Sequence, residues 1–226
     1  MARSIIVTGG FGVLGHAVAE AFARAGDKVA RIDFAAGPAV PLDGALDIGG
    51  IDLTDAPKVA AALDHISQAH GGIDVLVNVA GGFIWETLED GSLDSWAKMQ
   101  AMNLMTNATI TKLALPALKA ASEGRVVNIG AGAAIKAGMG MGAYTASKAG
   151  VHRLTEALAE ELAGTGVTVN AVLPSIIDTP TNRKDMPDAD ISQWVQPQAI
   201  ADVILFLASS AARGVTGALI PVTRGG

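Results

Sequence analysis

Tyr144 and Lys148 are the two residues of this sequence whose types and spacing most directly indicate acid–base chemistry. Because they are four positions apart on a predicted helix, they should lie one turn apart on the same face. A free phenol has a pKa of about 10 and exchanges protons poorly at neutral pH. A neighbouring ammonium favours the phenolate and should lower that pKa. The pair is therefore predicted to move a proton to or from a substrate, although a core aromatic residue beside a solvated lysine has the same spacing.

A glycine-rich segment, TGGFGVLG at residues 8–15, follows the first strand-like run and opens the first helical pattern. Its glycines allow a tight turn and close approach of a pyrophosphate, whose charge meets the N-terminal N–H groups of the helix. Such a turn can also occur without a ligand, but its position directly after the first strand favours a dinucleotide site. The predicted cofactor contacts here are Gly9, Phe11, Gly12, Val13, Leu14 and Gly15.

Residues at the ends of the next strands extend this predicted cofactor site. Asp33 ends the second strand, where a carboxylate accepts hydrogen bonds from the adenosine ribose and repels a 2′-phosphate. NAD(H) is therefore expected over NADP(H), although Arg31 on the same strand face could soften this preference. An ordinary strand-terminal turn is the alternative at Asp33 and at the strand ends that follow. The other predicted contacts at strand ends are Asp52, Leu53, Ala80, Gly81 and Gly82.

Apolar strand-like runs alternate with helical patterns along the whole chain, and this alternation predicts the fold. Strands are expected at 4–8, 28–33, 51–53, 73–82, 125–130, 167–174 and 217–222, and helices at 16–26, 55–70, 92–120, 144–163 and 198–209. This order implies right-handed crossovers and an α/β fold, with one doubly wound parallel sheet and helices on both faces, which is a Rossmann fold. We expect a single dinucleotide-binding domain over residues 1–226, with a substrate loop or lid at about 175–195.

Composition limits the classes of protein to consider. Half of the residues are hydrophobic, and the 27 glycines suit buried parallel strands covered by alanine-rich helices. Apolar runs fall short of the roughly 18 residues that a membrane span needs, and a net charge of −6 argues against nucleic-acid binding. With no cysteine and no metal-ligand spacing among four histidines, we expect no metal and a cytoplasmic location. His16 and His152 are expected on helix surfaces.

The motifs TGGFGVLG, NVAGG, YTASK and LPSIIDTP, together with Asn103, resemble the short-chain dehydrogenase/reductase family over residues 4–222. The resemblance implies an NAD(P) cofactor, Tyr144 as the proton donor and Lys148 as the residue that holds the nicotinamide ribose. It also implies that Asn103 supports a proton-relay water. Members pair the long helix at 144–163 with its counterpart, so a homodimer or homotetramer that acts on a small molecule is expected. Further implied cofactor contacts are Pro174, Ile176 and Thr179, the last of them with the carboxamide.

One position departs from the family pattern. Most members place a serine where this chain has Ala131, thirteen residues before the tyrosine. In ketone reduction that hydroxyl stabilises the oxygen as it gains negative charge, and losing one such donor costs a factor on the order of 10²–10³ in rate. An efficient ketone reductase would need a substitute, such as Ser147 or a backbone N–H near Gly132. An imine-like acceptor needs less help, because its nitrogen can be protonated.

A closer resemblance points to the same acceptor chemistry. The segments GGFGVLG and VAGGF, the serine-free AGA and residues 171–194 resemble the quinonoid dihydropteridine reductases. These enzymes use NADH and a tyrosine–lysine pair without a serine. The resemblance implies hydride transfer to a quinonoid dihydropterin or another C=N acceptor. A ketone, aldehyde or 3-oxoacyl reductase is the alternative, and a non-catalytic dinucleotide-sensing protein is a further one.

Apolar residues are predicted to surround the acceptor. A planar heterocycle would fit a flat apolar slot, although core packing explains the same residues. The predicted substrate residues are Trp85, Ala131, Met139, Met141 and Trp194, with Phe83 and Met186 as further candidates for the walls.

Overall fold

Seven parallel strands form one sheet at the centre of the structure, a computed structural model that describes residues 2–224. The strands are β1 (Ser4–Thr8), β2 (Lys28–Ile32), β3 (Leu46–Ile48), β4 (Val75–Asn78), β5 (Arg125–Ile129), β6 (Thr168–Pro174) and β7 (Leu219–Val222). Their order is β3-β2-β1-β4-β5-β6-β7. The order reverses between β1 and β4, which is the point where doubly wound sheets bind ligands.

Helices cover both faces of this sheet. The helices are α1 (Val13–Arg24), α2 (Ala56–His70), α3 (Leu93–Met99), α4 (Thr106–Ala120), α5 (Gly142–Glu161), α6 (Pro180–Asp185) and α7 (Pro197–Leu207). One core joins β1 to α1 and α7, and the other joins the sheet to α2, α4 and α5. Alternating residues of β1 supply the two cores, with Ile5 and Val7 in the first and Ile6 in the second. The predicted Rossmann fold is confirmed. Within residues 2–224, the helices are too short or too polar to cross a membrane.

The third strand was predicted at 51–53, and this prediction is wrong because β3 lies earlier in the chain. Asp47 of β3 accepts two hydrogen bonds of 2.7 Å from the Arg31 guanidinium of β2, which ties the short edge strand to its neighbour. Asp52 instead accepts hydrogen bonds from the N–H and the hydroxyl of Thr54 and forms a turn. Three residues of strand inside a stretch rich in glycine and proline leave too little periodicity to detect.

The predicted long helix at 92–120 is built from three pieces. A π-helical turn, Gln100–Met105, joins α3 to α4. A π-turn carries an extra residue and is often found at functional sites. Asn103 lies within this turn, so the irregularity falls on a predicted site residue.

The segment at 175–195, predicted as a loop or lid, has its two ends side by side. Ile177 and Val195 form a parallel β-bridge, and between them lie α6 and a short 3₁₀ turn. The carboxylate of Asp178 accepts hydrogen bonds of 2.6 and 2.7 Å from Arg183. The hydrogen bonds from this guanidinium lower the pKa of Asp178 to about 2. The two ends of the segment are therefore fixed to each other.

The four histidines occupy unrelated places in the fold. Among residues 2–224, no group of three or more histidine, aspartate or glutamate side chains is placed to hold a metal ion. His16 of α1 is half-buried, and its Nδ1 lies 3.1 Å from the Arg31 guanidinium. His152 of α5 is only 3% exposed, so the prediction that it lies on a helix surface is wrong. The helix faces the sheet at this position, which the polar character of the residue does not indicate.

Candidate active site

A cleft of about 790 Å³ opens at the carboxyl ends of β1, β2 and β4. It lies at the reversal of strand order, where a dinucleotide is expected in this fold. The predicted cofactor residues that line it are Gly9, Phe11, Gly12, Leu14, Gly15, Asp33, Asp52, Leu53, Ala80 and Gly81. Predicted cofactor residues outside its lining are Val13, Gly82, Tyr144, Lys148, Pro174, Ile176 and Thr179.

The glycine turn at the start of α1 forms one wall of the cleft. Gly9 has a φ of +61°, and a Cβ atom there would lie 2.9 Å from the Ala80 backbone. A Cβ atom on Gly15 would overlap the carbonyl oxygen of Gly9. Gly12 is the N-cap of α1 and offers no capping side chain, so the first N–H groups of the helix are left for another acceptor. A pyrophosphate is an acceptor of this kind.

Thr8 joins the two strands that flank the reversal point. Its hydroxyl oxygen accepts hydrogen bonds from the N–H groups of Val79, at 3.0 Å, and Ala80, at 3.1 Å. The end of β4 is thereby fixed against the glycine turn. The sequence motif contains this threonine, but spacing alone did not predict its role.

Asp33 lines the cleft, and its neighbour Arg31 is not available to a ligand there. The two carboxylate oxygens of Asp33 accept hydrogen bonds of 3.0 Å from the N–H groups of Phe11 and Ala35. Each oxygen keeps further lone pairs for a ribose hydroxyl. Arg31 is fully buried and does not line the cleft, because its guanidinium is bonded to Asp47. The idea that Arg31 softens a preference for NAD(H) therefore has no support here.

Tyr144 and Lys148 adjoin this cleft, although they do not line it. A Cβ atom on the cleft residue Gly81 would lie 3.4 Å from Nζ of Lys148. That ammonium is buried and donates a hydrogen bond of 2.8 Å to the carbonyl oxygen of Ile129, the last residue of β5. The Tyr144 ring is half-buried and meets the Phe83 ring edge to face, with centroids 4.9 Å apart. Lys148 is therefore next to the cofactor cleft, and the Tyr144 ring, one helical turn away, packs against an apolar neighbour.

The acidity of the Tyr144 phenol differs from the prediction. We expected the ammonium of Lys148 to lower its pKa, whereas burial raises the pKa of Tyr144 to about 12. Burial also lowers the pKa of Lys148 to about 8. Desolvation penalises both charged forms, and the ammonium is directed to a main-chain carbonyl group. At neutral pH the phenol keeps its proton, so this arrangement suits proton donation better than proton removal.

Asn103 fastens the glycines after β4 to α5. Its side-chain oxygen accepts a hydrogen bond from the N–H of Gly82 at 2.9 Å, and its amide donates to the Gly82 carbonyl at 3.1 Å and to the Ser147 hydroxyl at 2.9 Å. Ser147 in turn donates to the carbonyl oxygen of Tyr144 at 2.7 Å. The side chain of Asn103 is thus committed to protein groups, and its predicted support of a proton-relay water stays a prediction.

The residues predicted to contact the acceptor are in two kinds of surroundings. Trp85 is half exposed and covers Gly140, where a Cβ atom would overlap the indole ring. Met139 is exposed and Met141 is half-buried, and both lie beside that glycine in the chain. Trp194, by contrast, is only 4% exposed and packs at the base of the 175–195 segment. The first three can form an open apolar surface, whereas the buried Trp194 is not exposed to an acceptor.

Several cleft residues were not predicted from the sequence. They include Phe34, Thr54, Lys98, Met102 and Thr106. Phe34 and Thr54 directly follow predicted contacts, so adjacency was a usable signal. The other three come from α3, the π-turn and α4, whose approach to the cleft depends on tertiary packing that a local pattern does not contain.

Residues 3–190 match the family model of the short chain dehydrogenases. This chain belongs to the short-chain dehydrogenase/reductase family. It is 32% identical to 2-(S)-hydroxypropyl-CoM dehydrogenase 3 of Xanthobacter autotrophicus, covering 98% of this chain and 95% of the relative. It is 33% identical to a 3-oxoacyl-(acyl-carrier-protein) reductase of Pseudomonas aeruginosa, and the alignment covers 97% of this chain and 95% of the relative. The ligand-free aldohexose dehydrogenase of Thermoplasma acidophilum superposes with a TM-score of 0.90 at 31% identity, covering 98% and 92%.

A short-chain dehydrogenase/reductase uses a nicotinamide dinucleotide, and the residues of the cleft fit such a group. The glycine turn is open where Cβ atoms would fill it, and α1 begins without a side-chain cap. Asp33 faces the cleft with free lone pairs. A pyrophosphate fits the glycine turn and the uncapped start of α1, and a ribose fits beside Asp33.

The position of the family's serine hydroxyl holds only a methyl group in this short-chain dehydrogenase/reductase. Ala131 follows β5 and is 4% exposed, and its own N–H donates to a nitrogen of His152. Ser147, one of the two substitutes considered, is fully buried and already bonded to Asn103 and Tyr144. Ser147 therefore does not replace the hydroxyl, and a backbone N–H near Gly132 stays the other candidate.

Lys148 gives the fold a testable dependence on pH. Its pKa of about 8 lies below the ordinary lysine value of 10.5, so the unfolded chain binds more protons between these two values. The contribution of this lysine to stability should therefore rise as the pH rises through that window. Between pH 7 and pH 10, we expect the wild type to gain about 2 to 3 kcal/mol of unfolding free energy relative to Lys148→Met.

Urea unfolding of both proteins at several pH values measures this difference. The exposed Lys184→Met change on α6 is the matched control and should show no such trend. Parallel pH profiles for the wild type and Lys148→Met would contradict the burial of the ammonium.

Proposed function

We propose that this short-chain dehydrogenase/reductase is an NADH-dependent reductase of a C=N acceptor, of the quinonoid dihydropterin type, with Tyr144 as the proton donor. The observation that carries the proposal is the methyl group of Ala131 in a corner without a replacement side-chain hydroxyl, since Ser147 is bonded elsewhere. Reduction of a carbonyl group builds negative charge on oxygen and benefits from a second donor. Reduction of a protonatable nitrogen has less need of one.

The chain's own residues account for the proton and for the orientation of the acceptor. Reduction of a C=N bond takes a hydride, which the reduced nicotinamide supplies, and a proton for the nitrogen. Tyr144 keeps its proton at neutral pH, because its pKa is about 12, and regains it from solvent after each turnover. Phe83 holds the phenol ring edge-on, and the apolar surface of Trp85 suits a planar ring.

Reduction of a ketone or of a 3-oxoacyl group is the second candidate. The relatives with about one third identity are dehydrogenases and reductases of hydroxyl and oxo compounds. Their names support carbonyl chemistry, whereas Ala131 argues against it. In that case a backbone N–H near Gly132 would assist the Tyr144 phenol.

An acceptor panel separates these functions. NADH oxidation is followed with freshly generated quinonoid dihydropterin, with cyclic imines, and with ketones that include a 3-oxoacyl thioester. We expect the pterin and the imines to turn over at least about tenfold faster than the ketones. Faster ketone turnover would overturn the proposal in favour of the second candidate. Tight NADH binding without any turnover would favour a dinucleotide-sensing protein.

A preference for NAD(H) over NADP(H) forms part of the proposal and rests on Asp33. Its carboxylate repels a 2′-phosphate, and the buried Arg31 does not offset that charge in the cleft. Asp33→Asn should therefore narrow the ratio of NADH to NADPH affinity by at least about tenfold, since apposed like charges cost several kcal/mol. Fluorescence titration with both cofactors measures the ratio. Asp43→Asn, an exposed change outside the cleft, should leave it unaltered, and an unaltered ratio in Asp33→Asn would refute the role of Asp33.

We also propose a homodimer or homotetramer in the cytoplasm. A groove between α4 and α5 supports this, because the apolar Leu115, Pro116, Leu158 and Leu162 line it together with the charged Lys112, Lys119 and Glu161. Light scattering coupled to gel filtration gives the state directly, and a monomer at micromolar concentration would contradict it.

A further inference from the structure

His152 lies directly behind the corner where the family hydroxyl is missing. Its Nε2 accepts a hydrogen bond of 3.3 Å from the N–H of Ala131. Gly130 leaves the space that the ring occupies, because a Cβ atom there would lie 2.6 Å from the same nitrogen. The ring is 3% exposed, so this contact is made in the interior.

Two residues of α5, one turn apart, hold the same short piece of backbone. Lys148 donates to the carbonyl oxygen of Ile129, and His152 accepts from the N–H of Ala131. The N–H of Gly130 between them donates to β6, through the carbonyl oxygen of Val172. The end of β5 is thus fixed on both sides, by the sheet and by the helix that carries the proton donor.

We propose that His152, as a neutral imidazole protonated on Nδ1, is a positioning residue that fixes Ala131 and withholds the Ala131 N–H from the acceptor. The inference rests on the proposed function in that it concerns the same site. It assigns the geometry of the acceptor corner to a side chain that does not touch substrate, cofactor or the reacting atoms. Because the Ala131 N–H is bonded to His152, it does not act as a hydrogen-bond donor to the acceptor. The position of the missing serine hydroxyl therefore stays poor in donors, which favours an acceptor that reacts at nitrogen.

The neutral form of His152 is required, and its surroundings favour that form. Burial lowers the pKa of His152, and the positive charges of Arg153 and Lys148 lower it further, against the smaller opposing effect of Glu156. All three charged groups lie on α5. On the strand side, the ring contacts Gly130 and Ala131, and neither residue has a charged side chain. A protonated ring would place an N–H against the N–H of Ala131 and would release the backbone.

The first measurement needs no acceptor. Long-range ¹H–¹⁵N spectra of the imidazole rings, assigned by the signals lost in His152→Gln, report the tautomer and its titration. We expect an unprotonated Nε2 at pH 7 and protonation only below the pH at which an exposed histidine titrates. A ring protonated on Nε2, or charged at pH 7, would overturn the proposal. Because these spectra do not depend on turnover, failure of the proposed function leaves this test intact.

Two variants then separate positioning from simple packing. His152→Gln keeps an acceptor atom near the place of Nε2, and His152→Leu keeps a similar volume without one. With the best acceptor of the panel, we expect His152→Leu to lose on the order of 10²-fold in kcat, since a misplacement of about 1 Å has that effect. His152→Gln should stay within about threefold of the wild type at pH 7.5. The NADH dissociation constant should change little in either variant.

The pH profile supplies the decisive contrast. Wild-type kcat should fall as the pH drops through the lowered pKa of His152, whereas His152→Gln, which does not titrate, should lack this acid limb. Lys148 stays charged throughout that range and contributes no change there. An acid limb that survives in His152→Gln, or equal losses in the Gln and Leu variants, would refute the positioning role.

Discussion

Replacing Tyr144 by phenylalanine should lower kcat by about 10³-fold, within the range of 10²–10⁴ that general acid catalysis contributes. The change removes the hydroxyl and keeps the ring that packs against Phe83. In the wild type the phenol is the donor at neutral pH, because burial raises its pKa to about 12. Steady-state NADH oxidation with the best acceptor measures the loss.

The NADH dissociation constant provides the control for this variant. It should stay within about threefold of the wild-type value, since the glycine turn and Asp33 are untouched. Phe83→Leu is a second control, because it removes the aromatic contact and leaves the hydroxyl in place. If Tyr144→Phe kept more than a tenth of the wild-type activity, the proton would have to come from another group, and the assignment of Tyr144 would fail.

Adding a hydroxyl group at position 131 should change which acceptor is preferred. Ala131→Ser supplies the donor that the family usually has, and one such donor accounts for a factor on the order of 10²–10³ in carbonyl chemistry. We therefore expect kcat/KM for ketones to rise by at least about 30-fold, whereas that for C=N acceptors should change by less than about threefold. The ratio of the two values, from the same panel, is the quantity to measure.

Ala131→Cys is the matched control, because a thiol has a similar shape and is only a weak donor. It should leave the ratio near the wild-type value. Unaltered ketone turnover in Ala131→Ser would show that the missing hydroxyl does not determine the acceptor. In that event the carbonyl candidate, with a backbone N–H as the donor, would be favoured.

The fold was largely predictable because its signals are local. Buried parallel strands are continuous apolar runs, and β1, β5 and β6 were predicted within one residue at each end. The failure at β3 has a physical cause, since three residues are held at the sheet edge by a contact between Arg31 and Asp47. Tertiary ion pairs of this kind leave no periodic trace in the sequence.

The candidate site was predictable in its residues and less so in its energetics. The glycine turn and Asp33 line the cleft, but the acidity of Tyr144 was predicted with the wrong sign. A pattern of residue types indicates which residues lie next to one another. The pKa of a side chain also depends on how far the fold buries that side chain away from water. His152 was missed for the same reason, because only the packing of α5 against β5 reveals that it is buried.

The anchored base of the 175–195 segment has a consequence for how acceptor choice changes among relatives. Ile177 and Val195 are bridged, and Asp178 is bonded to Arg183 and Gln196, so the two ends meet whatever lies between them. Lengthening a loop whose ends already meet costs little chain entropy. Residues 184–193, which follow Arg183 and precede the buried Trp194, can therefore be exchanged as a cassette, with the sheet and the nucleotide end left as they are. Grafts at these two junctions offer a direct route to new substrate ranges on this scaffold.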